Sequence, residues 1–457
     1  MQFAGQRTDM ELKPVGEPVN LLVRLTEDIL PDPDAILITG ITPQATIADG
    51  LTEAEFLRHF TEEVAIPNTI FVGYNTVRFD DEFMRLMHYR NFYDPYEWQW
   101  KDGRSKWDVL DVVRMTRALR PEGIQWPFDV HGKATNRLEL LTALNKLDHA
   151  HAHDALSDVQ ATIEIARLIA GKQPKLFDYL LSMRDKKKVM ALVDANQPFV
   201  YTSGRYPSES EKTTVAIAVA SHPKKQAALV YDLRHDPTPY RDMTPEQLAD
   251  KWRWKKDSDE PRLPVKPLQF NHCPAVAPLA VLDDKSRERL KLNLAVIKEN
   301  LATLRTMKDF PARLQAAHEL LDGQRQTAFL SNEQDVDGRI YDGFLDDQDR
   351  QALRVVRAAD PAELGDLGLD FHDDRLDALL PLYKARNFPK ALTDEERTAW
   401  EKFRINRLLK GGPQSRLAKY FGRLQDIVNK GQLTGHQEYL LEELKLYGES
   451  IMPEAEE

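Results

Sequence analysis

Thr69-Ile70-Phe71-Val72-Gly73-Tyr74-Asn75-Thr76-Val77-Arg78-Phe79-Asp80 begins as a continuous apolar run, stops at a glycine, turns, and delivers a carboxylate where a helical pattern begins. The run Thr69 to Gly73 has the length of a strand buried on both faces. Asp81 to Tyr89 reads as the helix that follows. An acid at that junction sits at the carboxyl end of a strand, where it can project into a cleft. The same alternation surrounds it. Val19, Leu21, Val23 and Leu25 read as a strand. Thr52-Glu53-Ala54-Glu55 is a capping box, opening a helix whose apolar stripe is Phe56, Leu57, Phe60 and Val64. Leu156, Val159, Ile163, Ala166 and Ala170 keep helical spacing and place Asp158 one turn inside a helix. Residues 1–173 therefore form an α/β domain.

Residues 174–325 change character. Thr213 to Ala220 and Ala227 to Leu233 are β-rich runs joined by a turn-like Ser-His-Pro-Lys-Lys, and prolines recur at 261, 264, 267 and 274. A small antiparallel β domain with a helical extension is expected here. Residues 326–457 are helical almost to the end, with capping boxes at Thr393-Asp394-Glu395-Glu396 and Thr434-Gly435-His436-Gln437. With 457 residues, 42% hydrophobic and 30% charged, the chain is long enough for three domains and too apolar to be disordered. No apolar run approaches the ~20 residues needed to cross a bilayer. The single cysteine, Cys273, excludes an internal disulfide and fits a reducing cytoplasm, the expected location. A net charge of −11 leaves room for a basic groove on an acidic body.

His153-Asp154-Ala155-Leu156-Ser157-Asp158 supplies a histidine at the mouth of a helix and an acid one turn in. Asp80 and Asp158 have the oxygen donors that hard divalent cations prefer. His153 has the chemistry of a general base near neutral pH. Each residue also has a plainer reading: Asp80 as a helix N-terminal carboxylate, His153 as a loop residue beside His149 and His151. A zinc reading of the three histidines fails on their spacing.

Taken together and in this order, the two motifs resemble the second and third motifs of the DEDD exonucleases with a catalytic histidine, which have a ribonuclease-H-like fold. Further runs resemble bacterial exodeoxyribonuclease I: residues 37–44, 89–96, 118–124, 175–180, 271–274 and 383–389. The resemblance implies a ribonuclease-H-like α/β exonuclease domain, a small antiparallel β-barrel and an all-α C-terminal domain that together clasp single-stranded DNA. It implies two magnesium ions and 3′-to-5′ release of mononucleotides. Asp80 and Asp158 would be metal ligands, and His153 the base that activates water. By the same resemblance Tyr74, Asn75 and Arg78 would meet DNA, and Arg120 would dock the acidic tail of the single-stranded-DNA-binding protein. A surface salt bridge is the plainer reading of Arg120.

The family's first motif, an Asp-x-Glu followed by a threonine and an aromatic residue, has no counterpart. Asp9-Met10-Glu11 has the spelling, but Arg7 and Thr8 precede it where a buried strand needs apolar residues. The expectation is a natural product that begins upstream of Met1. The alternative is a catalytically defective single-stranded-DNA-binding or adaptor protein. A nuclease-only proofreading or RNA-trimming relative fits poorly with the long portion after residue 175. Trp252-Arg253-Trp254-Lys255-Lys256 reads as a base-stacking segment or an amphipathic helix, and Arg184-Asp185-Lys186-Lys187-Lys188 as a phosphate track or a solvated helix end. Tyr93, Tyr96, Trp98 and Trp100 read as core or as base contacts. Glu333-Gln334-Asp335-Val336-Asp337-Gly338 hints at a calcium loop, but Phe344 stands where the bidentate glutamate belongs.

Overall fold

Two pairs of strands frame the first third of the chain. β1 (Gln2–Gly5) and β2 (Val19–Leu22) are antiparallel, with Gln2 opposite Leu22. β3 (Ile70–Gly73) and β4 (Ser105–Asp108) are parallel, with Gly73 opposite Asp108. The computed structural model describes residues 1–147, 154–224, 226–253, 261–330 and 335–453. Among the described residues no strand links the two pairs.

This arrangement corrects one expectation. The apolar run is a strand, but none of β3 is fully buried and Val72 is 44% exposed. A parallel strand with a single neighbour is covered on one edge only, so its side chains stay partly open.

Helices close over these strands. The Asp80–Arg90 helix follows β3 as expected. The Val109–Leu119 helix is buried along nearly its whole length, the mark of an interior helix. It packs in one continuous apolar cluster with Trp107 and Ile165 of the first domain and with Val200, Val215 and Tyr231 of the next. The Ala155–Lys172 helix forms as predicted, with Asp158 one turn in, but its buried face is Ala161, Thr162, Ile165, Ala166 and Ile169. Only Ala166 of the expected stripe is buried. The helix meets β1 as well as three other helices, so its apolar coat is shared between two sides.

The middle domain is a five-stranded antiparallel sheet in the order β8-β7-β6-β5-β9. Its strands are β5 (Phe199–Thr202), β6 (Thr213–Ser221), β7 (Ala227–Asp232), β8 (Val265–Gln269) and β9 (Ala275–Pro278). β6 and β7 form the expected hairpin. Trp252 ends the Pro245–Trp252 helix and is buried, which fits the amphipathic reading for the described part of that segment; residues 254–256 lie outside it. Asp185 caps the Lys186–Val193 helix, so the basic run begins a helix.

Beyond residue 335 the chain is helical: Asp347–Ala358, Asp374–Asn387, Asp394–Leu409, Arg416–Lys430 and Gly435–Ser450. All three capping boxes read from sequence form, at Thr52, Thr393 and Thr434. This domain closes back on the first. Asn387 accepts the Ala54 N–H at 2.9 Å and donates to Asn91 Oδ1 at 2.9 Å. Arg386 reaches the fully buried Asp28 at 2.7 Å, and Gln44 donates to the Glu443 carbonyl at 2.7 Å. Asp335 and Asp337 pair with Arg386 and Arg407 inside the C-terminal domain, beside the Asp28 contact. Among the described residues no helix is long and apolar enough to cross a membrane.

Candidate active site

Parallel pairing brings the carboxyl ends of β3 and β4 together, and two loops meet there. Gly73 ends β3 because nothing larger fits: a Cβ would lie 2.0 Å from Thr76 Cγ2. Asn75 then takes a left-handed conformation (φ 68°), which asparagine tolerates better than most residues. The turn is held by Asp108 at the end of β4. Its carboxylate accepts the N–H of Asn75 at 2.9 Å, of Val77 at 3.2 Å and of Leu110 at 2.9 Å. One side chain thus caps the Val109–Leu119 helix and fixes the loop that leads to Asp80. Burial, joined by the charge of Asp111, raises the Asp108 pKa against those three donors.

Asp80 is the first residue of its helix. Surrounding protein, the largest cause, and the like charges of Asp81, Asp108 and Asp158 push it up to about 6. Those charges mark which carboxylates share its neighbourhood. Asp81 is a different case. It is buried and paired with Lys106 at 2.6 Å and with Arg85 at 3.6 Å, so it is neutralised within the fold. Glu82 pairs with Arg85 and accepts from the Tyr341 hydroxyl.

Asp158 is half-buried on the Ala155–Lys172 helix. That helix is docked by Asp154, which accepts hydrogen bonds from the Ser157 N–H at 3.0 Å and from Gln2 Nε2 at 3.0 Å. Gln2 Oε1 accepts the Ala155 N–H in return. β1 therefore sets where Asp158 stands. His153 lies outside the described residues, with His149 and His151.

Of the expected DNA contacts, Asn75 is exposed at the turn. Tyr74 is half-buried; its hydroxyl donates to the Asn136 carbonyl, and burial raises its pKa. Arg78 lies in the same turn, its side chain outside the described part. Arg120 is engaged at the junction with the middle domain: it donates to the Val281 carbonyl at 2.9 Å and pairs with Asp283 at 3.3 Å. Asp9 and Glu11 sit in a hairpin turn closed by the Thr8–Pro14 bridge, where Asp9 accepts the Lys13 N–H. The aromatic group divides. Trp98 is core, Tyr93 lies under Arg357, and Trp100 is exposed.

Sequence reasoning missed three residues here. Asp108 carries the same signal as Asp80, an acid between a strand and a helix. Phe79 and Phe83 flank Asp80, are 60% and 50% exposed, and hold their ring centroids 5.0 Å apart. Exposed aromatics four residues apart on a helix that carries an acid are the available signal.

The donors of Asp80 and Asp158 are oxygens, and Asp80 is pushed up by burial first and by neighbouring carboxylates second. Both features fit a hard divalent cation.

Residues 1–166 match the Exonuclease family, 184–320 the Exonuclease I SH3-like domain and 334–451 the Exonuclease I C-terminal domain. The chain belongs to the exodeoxyribonuclease I family. It is 38% identical to the exodeoxyribonuclease I of Haemophilus influenzae, over 99% of this chain and 94% of the relative. A crystal structure of E. coli exonuclease I in complex with a dA16 oligonucleotide superimposes with a TM-score of 0.91 at 37% identity, covering 99% and 95% of the two chains. A crystal structure of SSB/exonuclease I in complex with the inhibitor CFAM gives 0.88 at 36% identity, covering 99% and 95%.

Proposed function

We propose that this protein is a magnesium-dependent 3′-to-5′ exonuclease that degrades single-stranded DNA to mononucleotides. The observation that carries the reading is the gathering of Asp80 and Asp158 beside Asp108, from three separate elements, with Asp80 raised by burial and, after it, by their charges. Asp80 and Asp158 would hold the cation. Bound magnesium would supply positive charge to the attacking and leaving oxygens of the phosphodiester. The chain's own residues do the rest. Asp108 holds the Asn75–Val77 turn, and Asn75 and Arg78 would contact the DNA strand. His153 takes the proton from the attacking water. The family's complex with dA16 supports single-stranded DNA as the substrate. The SSB/exonuclease I structure supports SSB as a partner, and Arg120 would anchor its acidic tail. A ribonuclease-H-like first domain, and a middle sheet closed into a small barrel, belong to the same reading.

A second reading is a binding-only protein that keeps the DNA clasp and the partner site. It draws support from β1 and β3, which are not joined by an acid-bearing strand among the described residues. One assay separates the two. The 457-residue chain is given a labelled single-stranded oligonucleotide with magnesium, beside Asp80→Ala as blank. Nucleotide release that disappears in the variant and with chelator supports the exonuclease. Tight binding to the oligonucleotide without release supports the clasp.

A further inference from the structure

The middle domain holds a second cluster of metal-ligating side chains, far in sequence from the acids at Asp80. His222 begins the turn between β6 and β7. His318 and Asp322 stand four residues apart on one face of the Phe310–Leu330 helix. Their ligand-type atoms all lie within 4.8 Å of one another. The two imidazole centroids are 4.4 Å apart, and His318 Nδ1 is 3.5 Å from Asp322 Oδ2. Both histidines are buried. The Trp252 ring packs edge-on against His318 at 5.4 Å, and Gln315 donates to the Ser221 carbonyl at 2.9 Å, fixing the helix against the end of β6.

We propose that His222, His318 and Asp322 bind a transition-metal ion of the zinc type, tying the β6–β7 turn to the Phe310–Leu330 helix. Two imidazoles and one carboxylate are a donor set that suits zinc, with a fourth position for water. Magnesium, which favours oxygen, is disfavoured by the nitrogen donors.

The site has a built-in consequence. The Lys224 N–H donates to His222 Nδ1 at 3.1 Å, so that nitrogen carries a lone pair. A metal on Nε2 moves the ring proton to Nδ1. A metal on Nδ1 takes the lone pair itself. In either case the Lys224 N–H loses its acceptor, and metal uptake is coupled to the turn.

The test uses the full chain, stripped with chelator and carrying Asp80→Asn and Asp158→Asn so that the other carboxylates do not compete. It is titrated with Zn²⁺, and with Co²⁺ as a coloured probe. The expected result is one equivalent per chain, with the visible bands of four-coordinate Co²⁺. His318→Phe, which keeps a buried ring, and Asp322→Asn should each weaken binding by about a hundredfold or more. Hydrogen exchange at the Lys224 amide should speed up with Zn²⁺ and stay unchanged in Asp322→Asn. Should His318→Phe unfold by circular dichroism, Asp322→Asn decides alone, its side chain being 19% exposed. Failure to bind one equivalent, or binding that Asp322→Asn leaves intact, would overturn the proposal.

Discussion

The hydrogen atom of Gly73 is what allows Thr76 to fold back over the end of β3. Gly73→Ala overpacks this turn and should cost about 1–3 kcal/mol in urea melts, with nuclease activity falling alongside. Adding Thr76→Ser removes the closest methyl, so the double variant should recover part of both. Asp108 acts through two routes. Asp108→Asn replaces one acceptor oxygen with a donor facing the Val77 N–H, at about 1–3 kcal/mol. It also removes a like charge from Asp80, whose pKa should fall from about 6. The acid limb of the pH–rate profile should therefore move to lower pH, a shift that a purely structural loss would not produce. Cys273 supplies a contrast. Its thiol meets the Lys106 carbonyl, and burial pushes it up to about 12. At pH 8 about one molecule in ten thousand carries the thiolate, so alkylation should be slow in the native chain and rapid in urea.

At the scale of elements, local chemistry was readable and shared surfaces were not. The capping boxes at Thr52, Thr393 and Thr434 formed because side chain and backbone lie three residues apart, whatever surrounds them. Thr393→Ala should cost about 1 kcal/mol by thermal melting, and Thr393→Ser much less. The buried face of Ala155–Lys172 escaped the reading because that helix serves two neighbours, which smears the periodicity. β3 looked like a doubly buried strand because composition reports apolarity, not the number of partners. The exposed Phe79–Phe83 pair belongs to this scale too, as a stacking face on the helix that carries Asp80. Phe79→Ala should weaken single-stranded DNA binding by about five- to a hundred-and-fifty-fold in a fluorescence titration, corresponding to about 1–3 kcal/mol of base stacking. Binding to blunt duplex should change little.

Across the whole molecule, the C-terminal helices are fastened to the first domain through Asp28. Its contacts with Arg386 and Arg407 outweigh its burial and hold its pKa below the usual carboxylate value. Arg407 meets the same acid, but burial first, and then the charges of Arg416 and Arg90, prevail over Asp28 and push Arg407 down to about 10. Asp28→Ala leaves Arg386 buried without that partner and should cost about 3–5 kcal/mol. The pH dependence follows from the sign of the Asp28 shift. A carboxyl whose folded pKa is depressed adds stability in full above its unfolded value of ~3.9, and loses it as pH falls through the folded value. Urea midpoints measured from pH 6 downward should drop below about pH 4, with a shallower slope in Asp28→Asn.

What the sequence by itself determined is local or nearly so: the strand–turn–helix that ends on Asp80, the helix that carries Asp158, the hairpin of β6 and β7, and the capped helices at the end. These follow from spacing, side-chain chemistry and turn residues within a few positions of each other. The resemblance of scattered runs extended that reading to the family. Only the tertiary structure decided that Asp108 stands with Asp80, because the parallel pairing of β3 and β4 joins segments that no local pattern connects. It alone brought Arg386 to Asp28 across 358 positions, and His222 to His318 and Asp322. Such contacts arise when buried apolar faces choose their partners, and a choice between faces is made by the packed whole.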